Sequence, residues 1–229
     1  MNRVGLIGWR GMVGSVLVER MRAENDFALI EPRFFSTSQA GTAGPEIGRA
    51  TAPVGDAKDL AALGACEILI SCQGGEYTEA IHPKLRSAGW SGHWIDAAST
   101  LRMKDSAVII LDPVNRSIID AGLAEGRRDW IGGNCTVSLM LMAFGSLFGA
   151  NLVEWMTTMT YQAASGAGAR QMRELLQQMG HVHGATAQLL GNPASAILDI
   201  DRRATAALQD GAMPVEQLGY PLEIGRAHV

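Results

Sequence analysis

The chain lacks the features that mark several classes of protein. It has only three cysteines among 229 residues, with no spacing typical of a metal site. Charged residues make up 18%, their signs are interspersed and the net charge is -4, which indicates neither a nucleic-acid nor a polybasic membrane surface. We expect no secretory signal, because the first residues show neither a basic n-region nor an apolar h-region. No apolar run reaches the roughly 20 residues of a membrane span. We therefore expect a cytoplasmic protein without metal, nucleic-acid or membrane partners.

Hydrophobic residues are plentiful at 47%, enough for a sizeable core in one large domain or two small ones. Short apolar runs alternate with helical patterns up to about residue 112. This alternation predicts an α/β fold with a doubly wound, mostly parallel sheet. The predicted strands cover residues 4–8, 30–35, 67–71, 94–96 and 108–111.

The first predicted strand runs into a glycine-rich turn and then a helix, which is the setting of a phosphate-binding loop. Gly8 would permit the tight turn, Gly11 the close approach of a phosphate, and Gly14 the packing of the helix. The spacing differs from the standard dinucleotide fingerprint, so a plain strand-to-helix turn is the alternative.

The second predicted strand ends in the hydroxyl-bearing residues 36–38, where an NAD site usually carries an acid for the ribose 2′-hydroxyl. Together with Arg10, these hydroxyls favour a 2′-phosphate and hence NADP, although they could simply form a polar turn. A second glycine turn follows the strand at 67–71. Its Gln73 is a candidate cofactor contact or, alternatively, an ordinary loop amide.

A cysteine stands between a glycine turn and a strongly apolar run at residues 132–148. Asn134 is a good helix cap, so Cys135 is expected in the first turn of a buried helix. The free N–H groups there would stabilise a thiolate and could hold an oxyanion. The residues leave two interpretations open: a nucleophile that forms a thioester, or a cysteine buried for packing.

Further candidates lie in loops. Arg102 could bind a phosphate or carboxylate, or be a solvated side chain. A strand is predicted at 155–161, followed by small residues in which Gln162 contacts substrate or lies in a flexible connection. A helix is predicted at 171–179, ended by Gly180, with His181 and His183 in the following loop rather than acting as general bases.

Residues 1–222 resemble bacterial aspartate-β-semialdehyde dehydrogenase. The resemblance is carried by five segments, residues 8–15, 35–38, 72–75, 132–136 and 161–166. It implies an NADP-binding Rossmann domain over 1–133, an incomplete α+β catalytic and dimerisation domain over 134–222, and a homodimer.

The resemblance also implies roles for residues. Cys135 matches the catalytic nucleophile, Arg102 the ligand of the phosphate group, and Gln162 a substrate ligand. In the implied reversible reaction, aspartyl phosphate and NADPH give aspartate semialdehyde through a cysteine thioester, in lysine, threonine and methionine biosynthesis. The cofactor positions, counting the glycine loop, are Gly8, Arg10, Gly11, Met12, Val13, Thr37, Ser38, Gln73, Ser165, Gly166 and Pro193.

The match to the family ends at Leu222. Family members continue for roughly a hundred residues that carry the catalytic histidine, so we expect little or no turnover and a tendency to aggregate from residues 1–229. The alternatives are a non-catalytic nucleotide-binding fragment or a related acyl-phosphate reductase. Residues 223–229 correspond to a translated sequencing adapter and are expected to be a non-native tail.

Overall fold

The computed structural model of the protein describes residues 1–222, and the predicted non-native tail at 223–229 lies outside the described residues. The chain divides into two compact units, Met1–Thr160 and Tyr161–Val229. The strands are β1 (Asn2–Ile7), β2 (Ile30–Ser36), β3 (Gly55–Asp56), β4 (Ile68–Ser71), β5 (His93–Asp96), β6 (Ala107–Ile110) and β7 (Asp129–Gly132). The helices are α1 (Met12–Ala23), α2 (Leu60–Gly64), α3 (Gly75–Ser87), α4 (Asp112–Ala124), α5 (Cys135–Gly149), α6 (Ala169–Leu190) and α7 (Ile197–Leu208).

All seven strands form one parallel sheet in the order β3-β2-β1-β4-β5-β7-β6. The predicted α/β fold with a doubly wound parallel sheet is confirmed. The chain builds outward from β1 to β3 and then returns to the other side of β1 with β4. This reversal opens a crevice at the carboxyl ends of β1 and β4, where ligands of such sheets bind.

The core of the first unit consists of apolar strand residues covered on both faces, as parallel sheets require. Ile7, Leu69, Trp94 and Ile131 are at most 1% exposed. The predicted strands are recovered to within one or two residues. The apolar runs at 4–7 and 68–70 are typical of strands buried on both sides.

Several elements of the first unit were not predicted, among them the short β3, helix α4 and strand β7. Asp112 and Pro113 do not merely close β6 but begin α4, where proline fits the first turn because its missing N–H would have no helical acceptor. The four residues of β7 complete the sheet between β5 and β6. Its Trp130 and Ile131 are buried, but two apolar residues are too short a run to predict a strand.

The predicted strand at 155–161 is wrong, since these residues have no regular structure and Tyr161 is 97% exposed. A strand needs a neighbour for its backbone hydrogen bonds, and β-propensity does not supply one.

The predicted end of the helix at Gly180 is also wrong. Helix α6 continues to Leu190 and includes His181 and His183. A glycine inside a helix costs only about 1 kcal/mol, and α6 packs against α7. The side chains of Glu174 and Gln178 also bind backbone groups of residues 214–222.

Among residues 1–222, no helix is both long and apolar enough to cross a membrane.

Candidate active site

The two glycine turns at the crevice touch each other through their backbones. Gly8 has a φ of +74°, and a Cβ there would lie 2.6 Å from the Cys72 carbonyl carbon and the Gln73 nitrogen. The Cys72 N–H donates to the Ile7 carbonyl oxygen at 2.9 Å. Only glycine satisfies both the left-handed backbone and this close approach.

The first turn leads directly into α1. A Cβ at Gly14 would lie 2.3 Å from the Gly8 oxygen, so Gly14 lets the helix sit against the turn. Gly11 has only the Gly8 oxygen near its Cβ position, at 3.4 Å. Met12 and Val13 are about half exposed at the start of α1. The turn therefore offers open space and a helix N-terminus to a phosphate group, as a dinucleotide requires.

Arg10 of the first turn reaches the segment that follows β2. Its Nη1 donates to Oε1 of Gln39, and its guanidinium lies 5.4 Å from the Trp9 ring centroid. Thr37 and Ser38 immediately precede Gln39 and are exposed. The structure thus brings the arginine and the two hydroxyl residues to the same end of the sheet, an arrangement that suits a ribose 2′-phosphate.

Cys135 is the first residue of α5, directly after the glycine turn that ends β7. Oδ1 of Asn134 accepts a hydrogen bond from the Val137 N–H at 3.1 Å, so the predicted cap is present. The thiol is exposed, and its sulfur lies 4.0 Å from Oγ1 of Thr136. The cysteine therefore stands at a capped helix N-terminus that solvent can reach.

The expectation that α5 is a buried helix is wrong for the described structure. None of its residues is buried, and Leu139 is 70% exposed. An apolar helix face is expected to be buried, but burial requires that another surface packs against it. Helix α4 contacts α5 in the first unit.

The other two thiols are in a different environment. Burial raises the pKa of Cys66 to about 11, and burial together with the Asp96 carboxylate raises the pKa of Cys72 to about 11. Both are therefore protonated at neutral pH. Because a thiolate is the reactive form, exposure at a helix N-terminus distinguishes Cys135 from the buried Cys66 and the partly buried Cys72.

Arg102 is held at the turn that precedes Cys135. Its Nε donates to the Gly132 oxygen at 2.8 Å and its Nη2 to the Gly133 oxygen at 3.1 Å. The side chain is partly buried rather than freely solvated. Within residues 1–222 its Nη1 has no hydrogen-bond partner, so the guanidinium keeps donor capacity for an anion close to the cysteine turn.

Sequence reasoning missed one polar residue at this edge of the sheet. Asp96 ends β5 and is 1% exposed, and its carboxylate accepts hydrogen bonds from Thr78, Trp94 and Ala98. The available signal was an acidic residue as the last residue of a buried strand, at the end where parallel sheets bind ligands.

The remaining predicted residues belong to the second unit. Gln162 precedes a short 3-10 turn over Ala164–Ala167, and its side-chain nitrogen lies 2.6 Å from the position of a Cβ on Gly166. Gly166 therefore leaves room for the glutamine amide. Ser165 lies in the same turn, and Pro193 is exposed in the connection from α6 to α7. Within the part of the chain described, no cluster of three side chains is arranged to hold a metal ion.

Comparison with known proteins gives two family matches. Residues 3–121 match the semialdehyde dehydrogenase NAD binding domain, and residues 145–223 match the semialdehyde dehydrogenase dimerisation domain. The predicted boundary after residue 133 stays a prediction, and it falls between the two matched segments.

Solved structures give the same result. The chain is similar to aspartate semialdehyde dehydrogenase from Francisella tularensis, with 46% identity, a TM-score of 0.87, and coverage of 95% of this chain and 58% of that one. It is similar to aspartate semialdehyde dehydrogenase II complexed with ASA from Vibrio cholerae, with 26% identity, a TM-score of 0.66 and coverage of 86% and 55%. The Candida albicans enzyme with NADP shares the fold at 15% identity, a TM-score of 0.50 and coverage of 66% and 47%.

The chain therefore spans somewhat more than half the length of its similar structures. The predicted resemblance is confirmed by the first family match, which covers more than half of the chain, and by the second match that follows it. The chain belongs to the semialdehyde dehydrogenase family.

Proposed function

We propose that the function of this protein is the NADP-dependent reduction of L-4-aspartyl phosphate to L-aspartate 4-semialdehyde, through a thioester on Cys135. The observation that carries the proposal is the pairing of an exposed helix-terminal thiol with Arg102, which is hydrogen-bonded to the turn just before it. An acyl phosphate needs both a sulfur nucleophile and a cation for the departing phosphate. The similar structures from Francisella tularensis and Vibrio cholerae support aspartate semialdehyde as the aldehyde.

In the proposed reaction Arg102 binds the phosphate of the substrate. Gln162 is proposed as a substrate ligand because it matches the substrate-binding glutamine of the family. The Cys135 sulfur forms a bond to the acyl carbon, and the bond from that carbon to the phosphate oxygen breaks. Phosphate leaves with the bonding electrons. Free N–H groups in the first turn of α5 stabilise the negative oxygen that develops on the carbonyl.

The cofactor site fits a dinucleotide because the two glycine turns leave open space beside the backbone at Gly11 and Gly74. Arg10 with Thr37 and Ser38 favours NADP over NAD. When bound, the nicotinamide supplies the hydride that reduces the thioester. The residues proposed to hold the cofactor are Gly8, Arg10, Gly11, Met12, Val13, Thr37, Ser38, Gln73, Ser165, Gly166 and Pro193.

The remaining expectations belong to the same proposal. The proposal that the protein is a homodimer is supported by the dimerisation-domain match. The proposal that it is a cytoplasmic enzyme of lysine, threonine and methionine biosynthesis is supported by its similarity to an aspartate semialdehyde dehydrogenase. The expectation of little or no turnover by residues 1–229 stays a prediction, and so does that of aggregation.

The test is phosphate-dependent NADP reduction with aspartate semialdehyde, run on residues 1–229 and on a version extended by a relative's remaining sequence. We expect activity in the extended version, and its loss by at least about a thousandfold in Cys135→Ser, because the nucleophile is removed. Cys66→Ala is the matched control, since it removes a buried thiol from the core.

The outcomes separate the alternatives. A preference for another acyl phosphate would identify a related reductase, and cofactor binding without turnover in either version would identify a nucleotide-binding protein. Full activity in Cys135→Ser would contradict the thioester mechanism.

A further inference from the structure

Asp96 has a buried carboxylate whose position is fixed by three donors. Oδ2 accepts from Oγ1 of Thr78 at 2.6 Å and from Nε1 of Trp94 at 3.2 Å, and Oδ1 accepts from the Ala98 N–H at 2.8 Å. No ion pair reaches this carboxylate within residues 1–222. Since an acid that is 1% exposed is costly to bury, its contacts call for a role beyond filling space.

These contacts join the second glycine turn to the loop that carries Arg102. Thr78 lies on α3, and its N–H and Oγ1 point to the Gly74 oxygen at 3.3 and 3.4 Å. On the other side of the carboxylate, the bond to the Ala98 N–H sets the first turn of the loop at residues 97–104.

The same loop is anchored again at the cysteine turn. The Arg102 N–H donates to the Ser99 oxygen at 3.0 Å, and Leu101 is buried in the core. The guanidinium then returns to the carbonyls of Gly132 and Gly133. The loop is therefore short, held by Asp96 at its start and by the cysteine turn at its end.

We infer that Asp96 is a positioning residue, whose carboxylate holds α3 and the 97–104 loop so that the Arg102 guanidinium stays beside the Cys135 turn. The inference rests on the proposed role of Arg102 as the phosphate ligand. A carboxylate suits this position because it offers acceptors only, and all three partners are donors. An amide of the same size would place N–H groups against at least one of these donors.

The charge beside the Cys135 sulfur can be measured without turnover. Iodoacetate is negatively charged and iodoacetamide is neutral, but both alkylate the same thiol. The rate with iodoacetate divided by the rate with iodoacetamide at Cys135 therefore reports the positive charge of Arg102 near the sulfur. The rates are followed by peptide mass spectrometry on residues 1–229. We expect Arg102→Gln to lower the ratio roughly fivefold, and Asp96→Asn to lower it by a similar factor.

Matched variants distinguish positioning from general loosening. Thr78→Val removes one donor to the carboxylate and is expected to lower the ratio about twofold, whereas Thr78→Ser retains the hydroxyl and the ratio. Tyr77→Phe removes a buried hydrogen bond to the Ala57 oxygen from the same helix, and it should leave the ratio unchanged. The double variant Asp96→Asn with Arg102→Gln should have a rate ratio no lower than that of Arg102→Gln alone.

An unchanged ratio in both Asp96→Asn and Thr78→Val would overturn the inference, as would an equal fall in Tyr77→Phe. If Arg102→Gln itself leaves the ratio unchanged, the proposed role of Arg102 fails and this inference fails with it. If Asp96→Asn does not fold, as judged by circular dichroism, the comparison of the three Thr78 and Tyr77 variants decides.

Discussion

The two ends of the parallel sheet are built differently. At the carboxyl end the chain makes glycine turns with backbone groups left accessible, and Cys135 is exposed there. At the amino end of β7, Asp129 is 6% exposed and accepts hydrogen bonds from His82 at 2.8 Å and Arg86 at 2.6 Å. One end leaves polar groups available to a ligand, and the other satisfies them internally.

Arg86 shows how completely the amino end is closed. Its Nη1 donates to the carbonyl oxygens of Trp90 and Gly92 at 3.0 and 2.8 Å, and its guanidinium lies 4.6 Å from the Trp90 ring centroid. Burial alone would raise the pKa of Asp129, but the hydrogen bonds from His82 and Arg86 outweigh it and hold that pKa below its usual value. Asp129 and Arg86 at the amino end are therefore satisfied by each other and by nearby groups of the chain, whereas the Cys135 thiol at the carboxyl end stays exposed.

The largest loss of stability and of cofactor binding is expected from Gly8→Ala, at the carboxyl end of the sheet. A Cβ would overlap the backbone of Cys72 and Gln73 in a left-handed conformation, so we expect a loss of about 3 kcal/mol in unfolding free energy together with loss of NADP binding. Gly126→Ala is the matched control, because its φ is +76° and no atom lies near its Cβ position. It should cost only about 1 kcal/mol. Urea denaturation measures both, and equal losses would contradict the close packing of the two turns.

A slightly smaller loss of unfolding free energy is expected from Asp129→Asn, at the amino end of the sheet. Removing the carboxylate leaves Arg86 partly buried without its charge partner, which should cost about 2–3 kcal/mol. Asp120→Asn, which removes an exposed partner of Arg116, should have no measurable effect. NADP binding should persist in both variants, and its loss in Asp129→Asn would show that the two ends are not independent.

Asp129→Asn should also change how the stability of the protein depends on pH. Because the pKa of Asp129 is lower in the folded state, its contribution to stability is present above its unfolded pKa and is lost as pH falls through the folded pKa. The difference in stability between the wild type and Asp129→Asn should therefore shrink below about pH 4. The pKa of His93, lowered by burial and by Arg128 and Arg86, adds acid sensitivity of the same sign to both proteins. Thermal melting between pH 3 and 7 would measure this, and a constant difference would contradict it.

The sequence predicted those features that depend on local pattern. The strands ending at Ile7 and Ser71 contain the apolar runs 4–7 and 68–70, and the glycine turns that follow them were predicted as cofactor-binding turns. Asn134 predicted the start of α5 because a cap acts through its own next residues.

What the sequence did not predict depends on distant partners. Asp96 becomes informative only when Thr78 and Trp94 are seen to donate to it. Helix α6 passes Gly180 because tertiary packing outweighs a local preference. The predicted strand at 155–161 failed because strand pairing is a property of the neighbour as much as of the segment.

The most direct test of the open carboxyl end is the alkylation rate of the three cysteines by iodoacetamide at pH 7, measured by peptide mass spectrometry. We predict that Cys135 reacts at least about a hundredfold faster than the buried Cys66 and the partly buried Cys72, because a pKa raised to about 11 keeps both of them as thiols. Faster reaction of Cys72 or Cys66, or equal rates at all three, would contradict the assignment of Cys135 as the reactive thiol.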